Sequence, residues 1–456
     1  IGATNVVLAI PEGQDGTSLS QTDLLVGVRN FQNSTEGQSL LPDQESHSVF
    51  AAARQELGAL TLSAELLASE RTAFAYSRQL NANLTVPESN YYRQLNGLFP
   101  GQGNLIIAYN LDADLGPTWY DTRARALSSV LGAQYALPRD WQIEANFGFA
   151  QHADDSVQGN IYDSGTLNAA LASSNLATAF NPFADGSNSA PGVLEGITYE
   201  SLNGSRTDIT TFSMRADGPL WTLWGGALRA AVGIERRRET FEYYSRQRRP
   251  SGVTSTAPFL PGDRTTDAVF AELFAPIIGA ENGVPLVHDF TLSLSLRHEA
   301  PSDFEATTVP KIGVRWGWSE DFALRATWGE SFKAPQFQQM LGNTVGTLST
   351  ATPTQDPFAT NGSTGVLLLG GSNRFLEPEQ ATTWTAGFDY NPSWLSGLEL
   401  SATYFDIDFV DRIGNAGSVL AALANPAGFE GVFIRNPTAD QIAAYLGFAN
   451  QVVGAM

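Results

Sequence analysis

Alternation with a period of two, sustained over runs of about ten residues, constrains this chain more than any other feature. From Phe290 to Glu299, Phe290, Leu292, Leu294 and Leu296 fall on one side, while Thr291, Ser293, Ser295 and Arg297 fall on the other. Only an extended strand separates side chains in this way, so the segment reads as a two-faced β-strand. Ile312, Val314, Trp316 and Trp318 likewise oppose Lys311, Gly313, Arg315 and Gly317. After the link Ser319–Asp321 a return strand sets Leu324, Ala326 and Trp328 against Ala323, Arg325 and Thr327, which makes a hairpin. Trp141 to Phe149 and Leu228 to Glu235 repeat the pattern. Strands of a soluble sandwich alternate too, but they are usually shorter, with a mode of about five or six residues. Runs of about ten are what a tilted strand needs to cross a bilayer, with the apolar face toward lipid and the polar face toward a lumen.

Connections support that reading because their lengths are sorted. Leu57–Leu60, Leu137–Asp140, Leu220–Gly226, Ser319–Asp321 and Pro392–Gly397 are short, and Gly279–Val287 is intermediate. Arg78–Pro117, Asp155–Asn203, Ser245–Asp263 and Lys333–Pro378 are long and rich in Gly, Asn, Pro and Ser. Short periplasmic turns and long extracellular loops sort in this way in outer-membrane barrels. Trp141, Trp318, Phe322, Tyr390 and Trp394 stand beside the short turns, where an interfacial girdle places amphipathic rings. The expected fold is therefore all-β, an antiparallel transmembrane β-barrel with about twelve strands between Glu45 and Asp411. Residues 1–44 read as a loop or partial strand region, 45–411 as barrel strands with loops, and 412–456 as a loop with a helical patch at Asp440–Phe448. Ile1 opens without a basic, apolar and small-residue leader, and the chain stops just after the helical patch. It is expected to be an internal segment of a longer chain, truncated before the final strands.

Composition narrows the chemistry. Apolar residues make up 43% and charged residues 16%, which excludes disorder as the main state. No apolar run approaches the roughly 20 residues of a membrane-spanning helix. The formal charge of −21, with Arg236–Arg238 as the one run of cations, argues against nucleic acid as a partner. With no Cys and 4 scattered His, neither disulfides nor a thiolate or histidine metal site is expected. Asp406, Asp408 and Asp411 have the spacing of rim carboxylates more than of a cation site, and no Ser sits in a nucleophile elbow. No catalytic residue and no cofactor are expected. Arg297, Lys311, Arg315 and Arg325 are expected to face one lumen among Glu299, Glu330 and Asp389. Loop aromatics and cations are the candidates for ligand contact: Tyr91, Tyr92 and Phe99 in one loop, and Tyr243, Tyr244, Arg246 and Arg248 in another. Rings could stack on sugars or aromatic chelators, and guanidinium groups could hold anionic ones.

Several stretches resemble a known family. Leu324-Arg-Ala-Thr-Trp-Gly-Glu-Ser-Phe-Lys-Ala-Pro335 is similar to a strand and loop opening of TonB-dependent outer-membrane receptors, through Gly329, Ser331, Phe332, Ala334 and Pro335. Gly370-Gly-Ser-Asn373, then Leu376-Glu-Pro-Glu379, then Thr382 to Gly387 resembles the family's next loop-to-strand segment, through Leu376, Pro378, Glu379 and Gly387. The resemblance covers Thr85 to Ile413 in order. It implies a barrel of about 22 strands in the outer membrane of a Gram-negative bacterium, in contact with lipid and lipopolysaccharide. It further implies active uptake of a scarce bulky solute such as an iron–siderophore, cobalamin or an oligosaccharide. Energy would come from the TonB complex through an N-terminal plug domain and coupling box, neither of which is visible in this chain. The lumen cations would then meet the plug or water. A passive porin, or a secreted carbohydrate-binding or carbohydrate-active β protein, are the alternative functions.

Overall fold

The computed structural model describes residues 7–453 apart from 187, 256–260, 343–344, 352–355, 360–361, 363, 415–418, 429–432 and 448–450. Twelve strands follow one another in a single antiparallel meander: β1 (Asp43–Leu57), β2 (Leu60–Tyr76), β3 (Trp119–Leu137), β4 (Trp141–Tyr162), β5 (Thr198–Leu223), β6 (Gly226–Arg249), β7 (Gly262–Ile278), β8 (Asp289–Pro301), β9 (Thr307–Gly317), β10 (Phe322–Lys333), β11 (Glu379–Tyr390) and β12 (Leu400–Val410). Each pairs with its neighbours in sequence, and a short strand, Gly252–Ser255, folds back on the end of β6. At one end the links are tight. Gly58 turns β1 into β2 with φ +64°, and Arg139 and Asp140 turn β3 into β4 with φ of +64° and +59°. The first link has two residues and the second three, and positive φ values in both give the right-handed twist that a tight hairpin needs. Residues 77–118, 163–197 and 334–378 connect strands at the other end, whereas the link 302–306 there is short.

The strands outrun the sequence pattern. β5 spans 26 residues and β6 spans 24, so strand takes up both ends of the expected loops, 155–162 and 198–203 of Asp155–Asn203 and 245–249 and 262–263 of Ser245–Asp263. At about 3.3 Å per residue even a tilted strand of that length rises far beyond a hydrocarbon core of about 30 Å. The expected loops Arg78–Pro117 and Lys333–Pro378 also hold small hairpins, Asn81–Val86 with Leu105–Asn110 and Val345–Ala351 with Thr364–Gly370. The helical patch forms as Ala439–Leu446, with Phe448 outside the described residues.

Register shows which face meets lipid. Ile234 stands opposite Met214 and Val269, Met214 opposite Ala145, and Phe147 opposite Leu131 and Phe212. These side chains are exposed, Val232 and Ile234 at 51% and 52%, so the apolar face is turned outward and not packed in a core. The upper edge of the apolar face slants along the register. Its last member is Leu127 on β3, Phe212 on β5, Ile234 on β6, Leu296 on β8 and Trp328 on β10, each at or below the level of the one before. Strands crossing a membrane at an angle produce that stagger. Rings cluster at the tight-turn end: Trp316 stacks on Trp318 at 5.8 Å, and Phe322 on Phe388 at 5.9 Å.

Aromatic rings also lie over cross-strand glycines. Trp119 covers Gly159, Trp141 covers Gly218, Tyr244 covers Gly204 and Phe270 covers Gly233, where a Cβ would come within 2.2–2.5 Å of the ring. A ring laid over a glycine restores contact that the missing side chain would have made.

Most of the buried apolar side chains that cluster lie outside the sheet. Leu19, Leu84, Val86, Leu98, Leu111, Leu171, Phe180 and Ile197 form a packed core in a lobe built from residues 8–26 and the connections 77–118 and 163–197. Outward and inward faces predict different tolerance. Leu294→Arg, near the middle of the apolar band, is expected to cost about 2–4 kcal/mol, and the adjacent Ser293→Arg, on the polar face, within about 0.5 kcal/mol. Urea unfolding of the full-length protein in lipid vesicles measures both, and equal penalties would contradict the assignment of faces.

Candidate ligand pathway

On the concave face the polar residues of seven strands, β4 to β10, line a groove of about 1120 Å³. Its charges are arranged in pairs. Arg215 reaches Glu144 at 2.7 Å and Asp217 at 3.6 Å, and Arg229 shares Asp217 at 3.6 Å. Arg297 lies between Glu235 at 3.3 Å and Glu299 at 2.5 Å, with its guanidinium 5.8 Å from the ring of Phe270. Gly233, Phe270 and Arg297 are direct cross-strand partners, so the glycine makes room for the ring that Arg297 then flanks. Arg315 and Arg325 are opposite one another, and each is neutralised by its own carboxylate, Asp289 and Asp389. Lys311 lines the same groove and makes no ion pair among the described residues. Glu330 borders the groove as well, although it shares the alternation of Trp328. In a wet lumen such pairs contribute little individually, but they hold long side chains in fixed positions.

The loop-side ligand candidates fall in three places. Tyr92 is buried in the lobe core, with Tyr91 edge-on to it at 5.2 Å and Phe99 packed against the same cluster. Next to them Arg93, 2% exposed, donates to the carbonyls of Leu98, Val86, Gly103 and Phe99 at 2.6–3.1 Å, so its charge is met by backbone dipoles. Tyr243 lies on the lumen-side register of β6, where its hydroxyl is 3.4 Å from Asn203 Oδ1. Tyr244, Arg246 and Arg248 alternate to the outer side, with the Tyr244 hydroxyl donating to Asp155 at 2.8 Å, Arg246 over its ring at 4.8 Å and Arg248 bound to Glu200. Tyr243 and Tyr244 therefore belong to different surfaces.

Most of the family-like residues gather at the upper rim, with Gly329 and Gly387 lower on their strands. Lys333 and Glu379 are register partners joined at 2.6 Å, and Glu379 also accepts from the Ile413 amide at 2.8 Å. Gly329 pairs with Lys311 and Thr383, Ser331 with Ala381 and Phe332 with Gln380, while Leu376 and Pro378 lead into β11. Gly387 is cross-strand to Arg325, and a Cβ there would meet the Ala402 carbonyl at 2.5 Å. Ala334 and Pro335 close β10, and the Pro335 carbonyl accepts from Arg264 at 3.0 Å. Sequence reasoning missed Arg264, which is buried, bidentate to Asp303 and placed between Phe304 and Phe337 at 5.0 and 4.9 Å. Phe337 stacks in turn on Phe241, over Gly262. No local spacing announces such a cluster, because its members come from four separate segments.

Asp163 caps the lobe helix Ser164–Ala172. The Thr166 amide, then its hydroxyl and Arg249, hold the Asp163 carboxyl below its ordinary range. A depressed carboxyl stabilises the folded lobe above the ordinary value of about 4 and loses that contribution as pH falls through its own lower pKa. Asp163→Ala is thus expected to cost the helix about 1 kcal/mol at neutral pH and progressively less on acidification. Amide exchange across 164–172 in the full-length protein, corrected for intrinsic rates, reads the difference. Protection unchanged at neutral pH would show that the cap is idle.

No curated protein matches in sequence. Among solved structures, the RagAB peptide transporter aligns over 81% of this chain and 40% of its own, with 10% identity and a TM-score of 0.49. The ferripyoverdine receptor of the outer membrane of Pseudomonas aeruginosa aligns over 86% of this chain and 44% of its own, with 12% identity and a TM-score of 0.46. For the ferric citrate transporter FecA the values are 81%, 44%, 12% and 0.43. The chain thus spans less than half the length of these proteins. The family model "TonB dependent receptor-like, beta-barrel" matches residues 68–438. With the outward apolar band and the polar groove inside it, that match makes the chain a member of the TonB-dependent receptor β-barrel family, whose place is the outer membrane of Gram-negative bacteria.

Proposed function

We propose that this chain forms barrel wall and outer loops of a receptor that takes up a scarce, bulky solute with energy delivered through the TonB complex. The observation that carries the reading is the charge-paired groove on the inward face of a barrel wall of this family. Paired arginines at fixed positions suit a wall that a plug domain docks against and leaves repeatedly, because each charge stays neutralised when the partner withdraws. Arg297, Lys311, Arg315 and Arg325 are the proposed plug contacts. Tyr243, on the lumen side above Phe241, together with Tyr91 and Phe99 at the edge of the lobe, is proposed to line the solute's approach. Solutes of the structurally similar proteins, a peptide, ferripyoverdine and ferric citrate, define the range to test, along with cobalamin and oligosaccharides. Nothing in the groove calls for bond-making chemistry, so transport without turnover is the reading it supports. An outward band of exposed Leu, Ile, Val and Trp opposes a secreted, water-soluble role.

The complete gene, expressed in outer membranes with and without functional TonB, tests this. Accumulation of one labelled solute is expected only with TonB and only while the proton gradient stands. Equal accumulation without TonB would replace this reading with that of a passive porin.

A further inference from the structure

The connection that leaves β10 turns inward. Its Phe337 lies over Gly262 of β7 and stacks on Phe241 of β6 at 6.1 Å, with 13° between the ring planes. In the sheet, β8 and β9 stand between β10 and β7. Residues 334–341, which include the short helix Phe337–Leu341, therefore cross the inner side of those two strands as a strap. They bridge a low stretch of the rim, because β8 and β9 are joined by the short link 302–306 while β6 runs on to Arg249. Gly262, Arg264 and Phe241 share the inward face with Glu235, which lines the groove six residues lower on β6, about 20 Å along the strand. The strap thus lies over the mouth of the groove on the side of β6 to β10.

Side chains alone hold it there. Among the described residues no backbone hydrogen bond joins 334–341 to β6 or β7. Arg264 donates to the Pro335 carbonyl at 3.0 Å and lies 4.9 Å from the Phe337 ring and 3.8 Å from the Met340 sulfur. Its other partners belong to the wall: Asp303, bidentate at 2.8–2.9 Å, and the ring of Phe304 at 5.0 Å. When the strap leaves, the guanidinium keeps its carboxylate, so no unpaired charge is left behind. What is lost is one hydrogen bond to a carbonyl and the ring contacts. The seat itself is shaped for a ring, since a Cβ at 262 would meet Phe337 Cδ1 at 2.5 Å and Cγ at 2.6 Å. The Asn373 amide donates to the Gln339 carbonyl at 2.7 Å, which ties the strap to the returning end of the same connection.

We propose that residues 334–341 form a detachable stopper. With Phe337 seated on Gly262 and Arg264 as the positioning residue that catches it, the strap closes the groove to bulky molecules, and it lifts to admit them. That a transported solute passes beneath it rests on the uptake proposed above; that the strap seats and lifts does not.

The chain has no Cys, so thiols can be placed at chosen positions. Phe337 Cβ is one bond, about 1.5 Å, from the Cγ that an ideal Cβ at 262 approaches to 2.6 Å. The two Cβ atoms are therefore at most about 4.1 Å apart, and a disulfide spans about 3.5–4.5 Å. Ferripyoverdine, ferric citrate, cobalamin, a labelled peptide and a maltodextrin are offered to the complete receptor in outer membranes. For any that the parent accumulates with TonB, oxidised Gly262→Cys/Phe337→Cys is expected to accumulate at least tenfold less. Dithiothreitol is expected to restore uptake, and the parent to be indifferent to both treatments. Undiminished uptake by the cross-linked variant overturns the stopper.

A parent that accumulates none of the five counts against the uptake reading, and the strap is then judged on its own motion. Met340→Cys, at a position 9% exposed in the parent, is timed in its reaction with a membrane-impermeant maleimide. The reaction is expected to be slow but complete in the folded receptor; no reaction would make the strap a fixed part of the wall and overturn the proposal. Gly262→Ala, whose methyl group has three ring atoms of Phe337 as its nearest contacts, is expected to speed it at least tenfold. Gly148→Ala, also inward but with no atom nearer than 3.9 Å, is expected to leave it unchanged. An unchanged rate with Gly262→Ala, or the same acceleration with Gly148→Ala, overturns the proposal as well.

Discussion

In hydrocarbon a peptide group has no water to turn to, and that single constraint organises the molecule. Every amide and carbonyl that crosses the membrane must find its partner on the next strand, so one ladder joins β1 through β12, with irregularities at Leu228/Arg229 and Pro276/Ile278 toward the tight-turn end. A ladder fixes the alternation, and the alternation delivers two chemistries from one segment: Leu294 to lipid, Ser293 to the groove. Because the partners are set by register, side chains far apart in sequence become neighbours at no further cost. The row Gly233, Phe270 and Arg297 is built in that way.

The crossing segments were legible in the sequence because only there does burial in lipid demand an apolar residue at every second position. Phe290–Glu299 and Asp289–Pro301 are nearly the same strand read twice. Where strands rise into water the demand ends. Asp154, Asp155, Glu242 and Arg246 occupy both faces without disturbing the backbone ladder, so the pattern fades while the strand goes on. That is why the upper ends of β4, β5 and β6 read as loop, and why Tyr243 and Tyr244 read as one surface when they stand on two. The lobe core was illegible for another reason. Leu19, Leu98 and Phe180 come from three separate segments and follow no period. Arg93 and Arg264 look like any other surface arginine until backbone carbonyls or a carboxylate and two rings surround them.

Cations are deployed almost wholly as arginine, and most of them stand beside a carboxylate. The groove, the outward face of β6 and the rim share this habit, with Arg297, Arg236 and Arg264 as examples. A flexible ammonium would offer charge without direction. A fork fixed by one partner offers direction as well, which matters on a rigid wall that cannot rearrange to meet a ligand.

The lobe has a consequence for how the protein is made. Its core is assembled from the segment before β1, the link between β2 and β3, and the link between β4 and β5. These pieces can meet only when all three lie on the same side of the membrane. Packing of Leu19 against Phe180 therefore follows the crossing of the intervening strands, and once formed it opposes the withdrawal of any of them. The lobe core thus ties together, at one end, strands that elsewhere are held by their ladders alone.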